Sequence, residues 1–342
     1  MASTDLPSRS GEPPRTRCDN EYTGLANPDN LCCMNVVVQA LFHIPAFRER
    51  LIAAVASGGV PEANIATREL ASLFRALLAG DHTADCRRLL ELCAEELAAF
   101  DRQNDAGELW LRLLHKLHDE EGEPAPATPS SRQSLLGLFE SEQENRIVYD
   151  DGSEPDVERY TGFDVRCQIL DGPHRTHPSL VAALTAAVAV KEVENLDSES
   201  DEDCGPLNMT AQHCYVTLPK VMWVVLERGG FDDEGNFIKV QKHVPYPERL
   251  DASCISAAGG SYVLQSVVVH RGSLRDGHYY AFIRPGLGQW YRFDDANVRA
   301  CEACEVFDLA EEGASDTAMA FGYLLASCAD EILRPSSPAP SG

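Results

Sequence analysis

The spacing of apolar residues changes once along this chain, at a proline-rich stretch over residues 120–133. Before it, apolar residues recur three and four positions apart, as on one face of an α-helix, in FRERLIAAVASG, TRELASLFRALLAG, CRRLLELCAEELAAF and DAGELWLRLLHKLHDE. After it, short β-branched and aromatic runs predict strands, interrupted by one helix that starts at Pro178 and Ser179. Helices followed by strands predict an α+β fold rather than alternating parallel units.

Size and charge restrict the classes of function. The chain has 342 residues, 44% of them hydrophobic, which is enough for a large core. Its net charge of −25 repels phosphate backbones and anionic lipids, so we expect neither nucleic acid nor a membrane as a partner. The first twenty residues lack an apolar run, and the apolar stretch at residues 179–190 is shorter than a membrane span. We therefore expect an intracellular protein of the cytoplasm or nucleus, with reduced cysteines. The sequence leaves the oligomeric state open.

A cysteine pair stands where a turn-forming segment meets an apolar run. Residues 24–48 read GLANPDNLCCMNVVVQALFHIPAFR, with turn residues before Cys32 and a helix-ending signal at Pro45. A thiolate at a helix start is stabilised by unpaired backbone N–H groups and by the positive end of the helix dipole. Cys32 is therefore a candidate nucleophile. The alternative is that it is simply a small buried side chain.

A histidine and an aspartate stand on neighbouring predicted strands further along. Residues 261–270 and 279–285 predict a hairpin, and His278 lies where its second strand begins. Asp294 follows 16 residues later, a separation that one further hairpin spans. A cysteine nucleophile needs an imidazole to take its proton and a carboxylate to fix the tautomer of that imidazole. Taken alone, His278 is better explained as an ordinary surface histidine.

The two segments resemble the cysteine and histidine boxes of the ubiquitin-specific protease family. The first box typically reads GLxNxGNTCYMNxxLQxLF, against GLANPDNLCCMNVVVQALF here. The second reads GHYxxxxR and then WYxFDDxxV, against GHYYAFIR and WYRFDDANV here. Looser similarity includes RQNDAGELWLRLL, LPKVMWVVLER and TAMAFGYLL, and spans roughly residues 22–325. The resemblance implies a papain-like cysteine protease with thumb, fingers and palm, a thiol-dependent isopeptidase that removes ubiquitin or a ubiquitin-like modifier from conjugates.

The resemblance also assigns catalytic roles to individual residues. Cys32 is the implied nucleophile and His278 the general base. Asp294 is the implied carboxylate that orients His278, although Asp295 could share that role. Asn27 matches an amide that helps to bind the oxyanion.

Three further residues match positions that grip the C-terminal tail of the modifier: Asp105, Glu108 and Tyr279. Carboxylates suit this task because the ubiquitin tail carries arginines, and such pairs can be bidentate. Independently of the resemblance, Asp105 is predicted to be a helix N-cap, with Glu108 completing a capping box.

The chain departs from the family pattern at several positions. The tyrosine after the nucleophile is replaced by Cys33, which points about 100° away from Cys32 on a helix, so Cys32 remains the expected nucleophile. Asp29 replaces a glycine, which predicts a strained or reshaped loop before the nucleophile. Gly229 stands where the family has a phenylalanine that lines the tail channel, unless Phe231 takes that place.

The cysteine spacing predicts no structural zinc, and we expect no cofactor. Many relatives carry two CxxC pairs in the fingers, a tetrahedral zinc-binding set. The matching regions here contain only Cys204, and the sole CxxC runs from Cys301 to Cys304. The acidic run at residues 192–203 is expected to be a solvated loop in the fingertip region.

We predict a domain division at these boundaries: a disordered tail at 1–20, a thumb at 21–132, fingers at 133–218, a palm at 219–330 and a second disordered tail at 331–342. Two rival functions stay open. One is a catalytically weak or inactive relative that only binds a ubiquitin-like protein. The other is a scaffold that acts through the acidic run.

Overall fold

A computed structural model describes residues 22–93, 105–122, 134–172, 175–193, 208–273, 277–309 and 315–334. The helices are α1 (Cys32–Phe42), α2 (Pro45–Ala56), α3 (Ile65–Leu78), α4 (Arg87–Cys93), α5 (Ala106–Glu121), α6 (Leu180–Ala187), α7 (Ala303–Phe307) and α8 (Ala329–Leu333). The strands are β1 (Ser141–Tyr149), β2 (Asp156–Gly162), β3 (Val165–Gln168), β4 (Lys191–Val193), β5 (Met209–Tyr215), β6 (Val221–Glu227), β7 (Gly229–Phe231), β8 (Phe237–Lys239), β9 (Arg249–Asp251), β10 (Ser261–Gly272), β11 (Gly277–Ile283), β12 (Trp290–Asp294), β13 (Asn297–Cys301) and β14 (Asp316–Leu325). Helices thus precede most strands, as the sequence predicts.

The large sheet has the strand order β13-β12-β11-β10-β14-β6-β3, and β9 pairs with β10. Its strands are antiparallel to their neighbours except β3, which runs parallel to β6. Both faces of β6 are covered, which explains why it reads as an uninterrupted apolar run. Trp223 of β6 lies in the core on one face, and Met222 lies in the core on the other.

The first core joins α1, α2, α3 and α5 to one face of the large sheet. Every residue of α1 is buried, and the helix contacts β11 directly. Trp110 of α5 stacks on Trp223 of β6, with ring centroids 4.1 Å apart and planes 5° apart. This packing holds the N-terminus of α1 against the part of the sheet formed by β11 and β12.

A separate sheet with the order β2-β1-β5-β4 lies within the predicted fingers, residues 133–218. From the same part of the sequence, β3 joins the large sheet. Helix α6 packs in a second core, which lies on the face of the large sheet opposite the first core. A short ribbon of β7 and β8 follows β6. The boundaries between thumb, fingers and palm stay a prediction.

Several predicted elements differ in length from those observed. The strand predicted at 237–244 is extended only over Phe237–Lys239, and the helix that follows Pro178 ends at Ala187. The last helix reaches Leu333, beyond the predicted tail boundary at residue 330. The tail at 1–20 and most of the proline-rich and acidic runs lie outside the described residues. Within the described ranges, no helix has the length and apolarity needed to cross a membrane.

Candidate active site

Cys32 is the first residue of α1, as the sequence predicts. Its side chain therefore lies in the first turn, where backbone N–H groups have no partner within the helix. The loop before it is fixed by Asn27, whose Oδ1 accepts a 2.6 Å hydrogen bond from the N–H of Leu31. Both cysteines of the pair are buried, and Cys32 is the one whose thiol is hydrogen-bonded to His278.

His278 is the second residue of β11, at the end of the large sheet nearest α1. The preceding Gly277 pairs with Gly272 of β10, and a side chain there would collide with the ring of His270 and the carbonyl of Arg271. Glycine is therefore required for β11 to begin this close to β10. The start of β11 fixes where the His278 imidazole projects.

His278 connects Cys32 to Asp294. Its Nε2 lies 2.6 Å from Oδ1 of Asp294, so Nδ1 is the ring nitrogen left for the thiol. Hydrogen bonds with Asp294 and Cys32 raise the pKa of His278 to about 10, although partial burial opposes this. The bond from His278 also holds the pKa of Asp294 below its usual value. A protonated imidazole beside the sulfur favours the thiolate, the nucleophilic form of cysteine.

The adjacent Asp295 has different partners. Its Oδ2 lies 3.9 Å from Nε2 of His278, beyond hydrogen-bond distance. Instead it accepts hydrogen bonds from two side-chain amides, Nδ2 of Asn27 at 2.7 Å and Nδ2 of Asn35 at 2.9 Å. The structure thus places Asp294, rather than Asp295, on the imidazole.

Asn27 and Asn35 are both held by this carboxylate. An amide nitrogen carries two hydrogens, and the bond to Asp295 uses one of those on Asn27. Asn35 also donates to the carbonyl of Ala26 at 3.2 Å, which ties α1 to the preceding loop. Sequence reasoning gave Asn35 no role, although it stands three residues after Cys32 and therefore on the same side of the helix.

The loop before α1 is not strained where the sequence predicted. The residue with positive φ is Asn30, at 56°, and not Asp29, which replaces the family glycine. Asparagine tolerates this left-handed conformation better than most residues. Asp29 lies on the surface, where its carboxylate pairs with Arg87.

Asp105 and Tyr279 lie together, and Glu108 follows one helical turn along α5. The N-cap prediction for Asp105 is confirmed: its Oδ1 accepts the N–H of Glu108 at 3.0 Å. Its Oδ2 accepts the hydroxyl of the buried Tyr279 at a long 3.4 Å. The carboxylate of Glu108 does not complete the expected capping box but accepts two hydrogen bonds from Arg112, at 2.9 and 2.8 Å.

Gly229 begins the ribbon of β7 and β8. A side chain at this position would collide with the ring of Phe237, which therefore covers the space beside Gly229. Phe231 is 63% exposed and packs edge-on against Phe237, with ring centroids 5.3 Å apart. Phe237, and not Phe231, is thus the aromatic residue beside the position that the family fills with phenylalanine.

Potential metal ligands converge at one place among the described residues, and that place is His278, Asp294 and Asp295. The first two are already hydrogen-bonded to each other. Cys301 is buried and Cys304 is exposed, and neither belongs to such a group. Cys204 lies outside the described residues.

A thiol at a helix start, hydrogen-bonded to an imidazole that a carboxylate holds, is the arrangement of a cysteine hydrolase. A family model described as ubiquitin carboxyl-terminal hydrolase matches residues 23–324. The chain belongs to this family.

Curated relatives carry the same family description. Ubiquitin C-terminal hydrolase 12 of Arabidopsis thaliana is 27% identical over 291 residues, covering 81% of this chain and 25% of the relative. Ubiquitin carboxyl-terminal hydrolase 17-like protein D of Mus musculus is 27% identical over 331 residues, covering 90% of this chain and 56% of the relative. The chain thus spans only part of these relatives' length.

The fold matches a chain in the SAGA Ubp8/Sgf11/Sus1/Sgf73 DUB module bound to ubiquitin aldehyde, with a TM-score of 0.69 and 20% identity. The match covers 89% of this chain and 69% of that one. The predicted α+β fold of the papain-like, ubiquitin-specific protease type is confirmed.

Proposed function

We propose that this protein is a cysteine deubiquitinase that cleaves ubiquitin, or a ubiquitin-like modifier, from its conjugates. The observation that carries the proposal is the hydrogen-bonded series Cys32, His278 and Asp294 at the N-terminus of α1. Family membership and the names of the relatives support the same reaction.

In the proposed reaction, the Cys32 thiolate attacks the carbonyl carbon of the modifier's terminal glycine. The remaining N–H of the Asn27 amide and the backbone N–H groups at the start of α1 stabilise the oxyanion. His278 then protonates the lysine amine, which leaves, and a thioester remains on Cys32. His278 next takes a proton from water, whose oxygen attacks the thioester and releases the free carboxylate and the thiol.

Asp294 keeps the imidazole oriented and stabilises its charge, while Asp295 holds Asn27. For substrate recognition, we propose that Asp105 and Glu108 bind arginines of the modifier tail beside Tyr279. Both carboxylates already have protein partners, so the tail would compete with Arg112 for Glu108. Thumb, fingers and palm at the predicted boundaries would hold the folded part of the modifier.

The test is hydrolysis of ubiquitin-aminomethylcoumarin. Cys32→Ala should abolish turnover, and Cys33→Ala is the matched control, since it removes the neighbouring thiol and should retain turnover. A Cys32→Ala variant that cleaves at the parent rate would refute the proposed nucleophile. If the parent binds ubiquitin in calorimetry but never hydrolyses it, the rival function, a binding module without catalysis, is correct. Electrophilic probes built on ubiquitin and its relatives then identify the preferred modifier.

A further inference from the structure

Arg292 contacts the oxygen of Asp294 that His278 does not use. It stands two residues before Asp294 on β12, so both side chains lie on the same face of the sheet. Its Nη2 donates to Oδ2 of Asp294 at 2.6 Å, while Oδ1 lies 2.6 Å from Nε2 of His278. The carboxylate is therefore held between an imidazole and a guanidinium. The family pattern WYxFDDxxV leaves the position of Arg292 open.

Arg292 is itself held in place by the sheet. Its guanidinium carbon lies 3.9 Å from the centroid of the buried Tyr280 ring, a cation–π contact. The Tyr280 hydroxyl donates to Asp316 at 2.8 Å, and Arg271 binds both oxygens of Asp316, at 2.7 and 2.8 Å. The Arg292 side chain is only 18% exposed, so water screens its charge incompletely.

We propose that Arg292 is a positioning residue for His278 that acts through Asp294, sharing the negative charge of the carboxylate and fixing its orientation. This inference rests on the proposed cysteine protease mechanism. The contacts of Arg292 are with Asp294 and Tyr280, so its effect should appear in proton transfer rather than in substrate binding.

The physical reason is a balance of charge. Without Arg292, the Asp294 carboxylate would stabilise the imidazolium of His278 more strongly. An imidazolium that holds its proton too tightly donates it slowly to the leaving amine. A guanidinium on the second oxygen withdraws part of that stabilisation. Among the described residues, the other charged or titratable groups near His278 include Cys32 on α1, Asp295 after β12, and Arg271 and His270 on β10.

The experiment compares Arg292→Met with Arg292→Lys, which keeps the charge. The matched control is Arg299→Met: Arg299 lies opposite Arg292 on β13 but pairs with Glu305. Two quantities are measured for each variant of the chain. One is the pKa of His278 by NMR of ¹³Cε1-labelled histidine, assigned with His278→Gln. The other is kcat and KM for ubiquitin-aminomethylcoumarin.

Arg292→Met should raise the pKa of His278 by about one unit. It should lower kcat by about 3- to 10-fold with KM unchanged. Arg292→Lys should restore both values towards the parent, and Arg299→Met should change each much less than Arg292→Met does, because Arg299 forms its ion pair with Glu305. An unchanged or lowered pKa of His278 in Arg292→Met overturns the inference, as does a loss of kcat that Arg292→Lys does not relieve. The NMR measurement needs no substrate. If the parent hydrolyses no ubiquitin conjugate but Arg292→Met still raises the pKa of His278, the contact between Arg292 and Asp294 is supported and the proposed function is refuted.

Discussion

Substituting each of the two adjacent aspartates should separate their roles, because their partners differ. Asp294 lies 2.6 Å from Nε2 of His278, whereas Asp295 accepts the amides of Asn27 and Asn35 at 2.7 and 2.9 Å. Asparagine keeps the size of either side chain and removes its charge. Asp294→Asn should therefore affect the imidazole, and Asp295→Asn should affect the oxyanion donor.

The expected magnitudes follow from these contacts. A hydrogen bond to a charged group contributes about 1.5–3 kcal/mol, against about 1 kcal/mol for a neutral one. Asparagine at position 294 also stabilises the wrong imidazole tautomer, and the equivalent change in a Ser-His-Asp triad costs about 10⁴-fold in kcat. We expect Asp294→Asn to lower kcat by about 10²- to 10⁴-fold. It should also lower the pKa of His278, because the hydrogen bond with Asp294 is the largest cause of its increase.

Asp295→Asn should instead release Asn27. Loss of one oxyanion-hole donor costs about 3 kcal/mol, so kcat should fall by about 10²-fold. The pKa of His278 should stay raised, since Asp295 lies 3.9 Å from its Nε2.

The assays are steady-state hydrolysis of ubiquitin-aminomethylcoumarin and NMR titration of His278 in both variants. Asn27→Ala is the matched variant for Asp295→Asn, because both changes act on the same amide. Separate roles for the two aspartates are ruled out if Asp295→Asn lowers the pKa of His278 as far as Asp294→Asn does. A parent kcat in Asp294→Asn would equally rule them out.

Three further changes test other parts of the site. Gly24→Ala should lower kcat about 10²-fold, because its new methyl group would collide with the backbone of Asp295. Unchanged activity and thermal stability would contradict the close packing of Gly24 against Asp295. Lys239→Met should lower kcat and the melting temperature, since Lys239 donates to two carbonyls at the end of β10 beside the start of β11. Lys242→Met, at an exposed position, should change neither quantity. Equal effects of the two substitutions would argue against the hydrogen bonds from Lys239 to β10. Finally, the pKa of His278 is raised to about 10. The protonated imidazole therefore stabilises the folded protein fully below about pH 6.5, and this stabilisation is lost as pH rises through about 10. The alkaline limb of kcat/KM should lie near that value, and a limb near pH 6.5 would disprove the assigned contacts.

Local patterns in the sequence placed Cys32, His278 and Asp105 at element boundaries, and the family resemblance then assigned their roles in the site. Turn residues followed by an apolar run placed the helix start at Cys32, and a glycine before an aromatic run placed His278 at a strand start. Asp105 was recognised as an N-cap by its position before an amphipathic segment. These are short-range signals that need no knowledge of tertiary contacts.

What the sequence could not decide depends on contacts between distant residues. Asp294 and Asp295 have different partners because Asp295 has a positive φ, at 52°, which directs its carboxylate to the loop before α1. The contacts of Asn35 with Asp295 and of Arg292 with Tyr280 form only when β12 lies beside α1 and β11. Glu108 was expected to complete a capping box but pairs with Arg112, because a carboxylate and a guanidinium four residues apart meet on a helix surface.

Ubiquitin that carries a C-terminal electrophile tests the central claim most directly, because the adduct forms only if the C-terminus of the bound ubiquitin reaches a reactive thiolate. Peptide mapping of the labelled protein should place the adduct on Cys32 in the parent and find none in Cys32→Ala, with labelling greatly slowed in His278→Ala. An adduct on Cys33, or a parent that binds the probe without forming an adduct, would contradict the account.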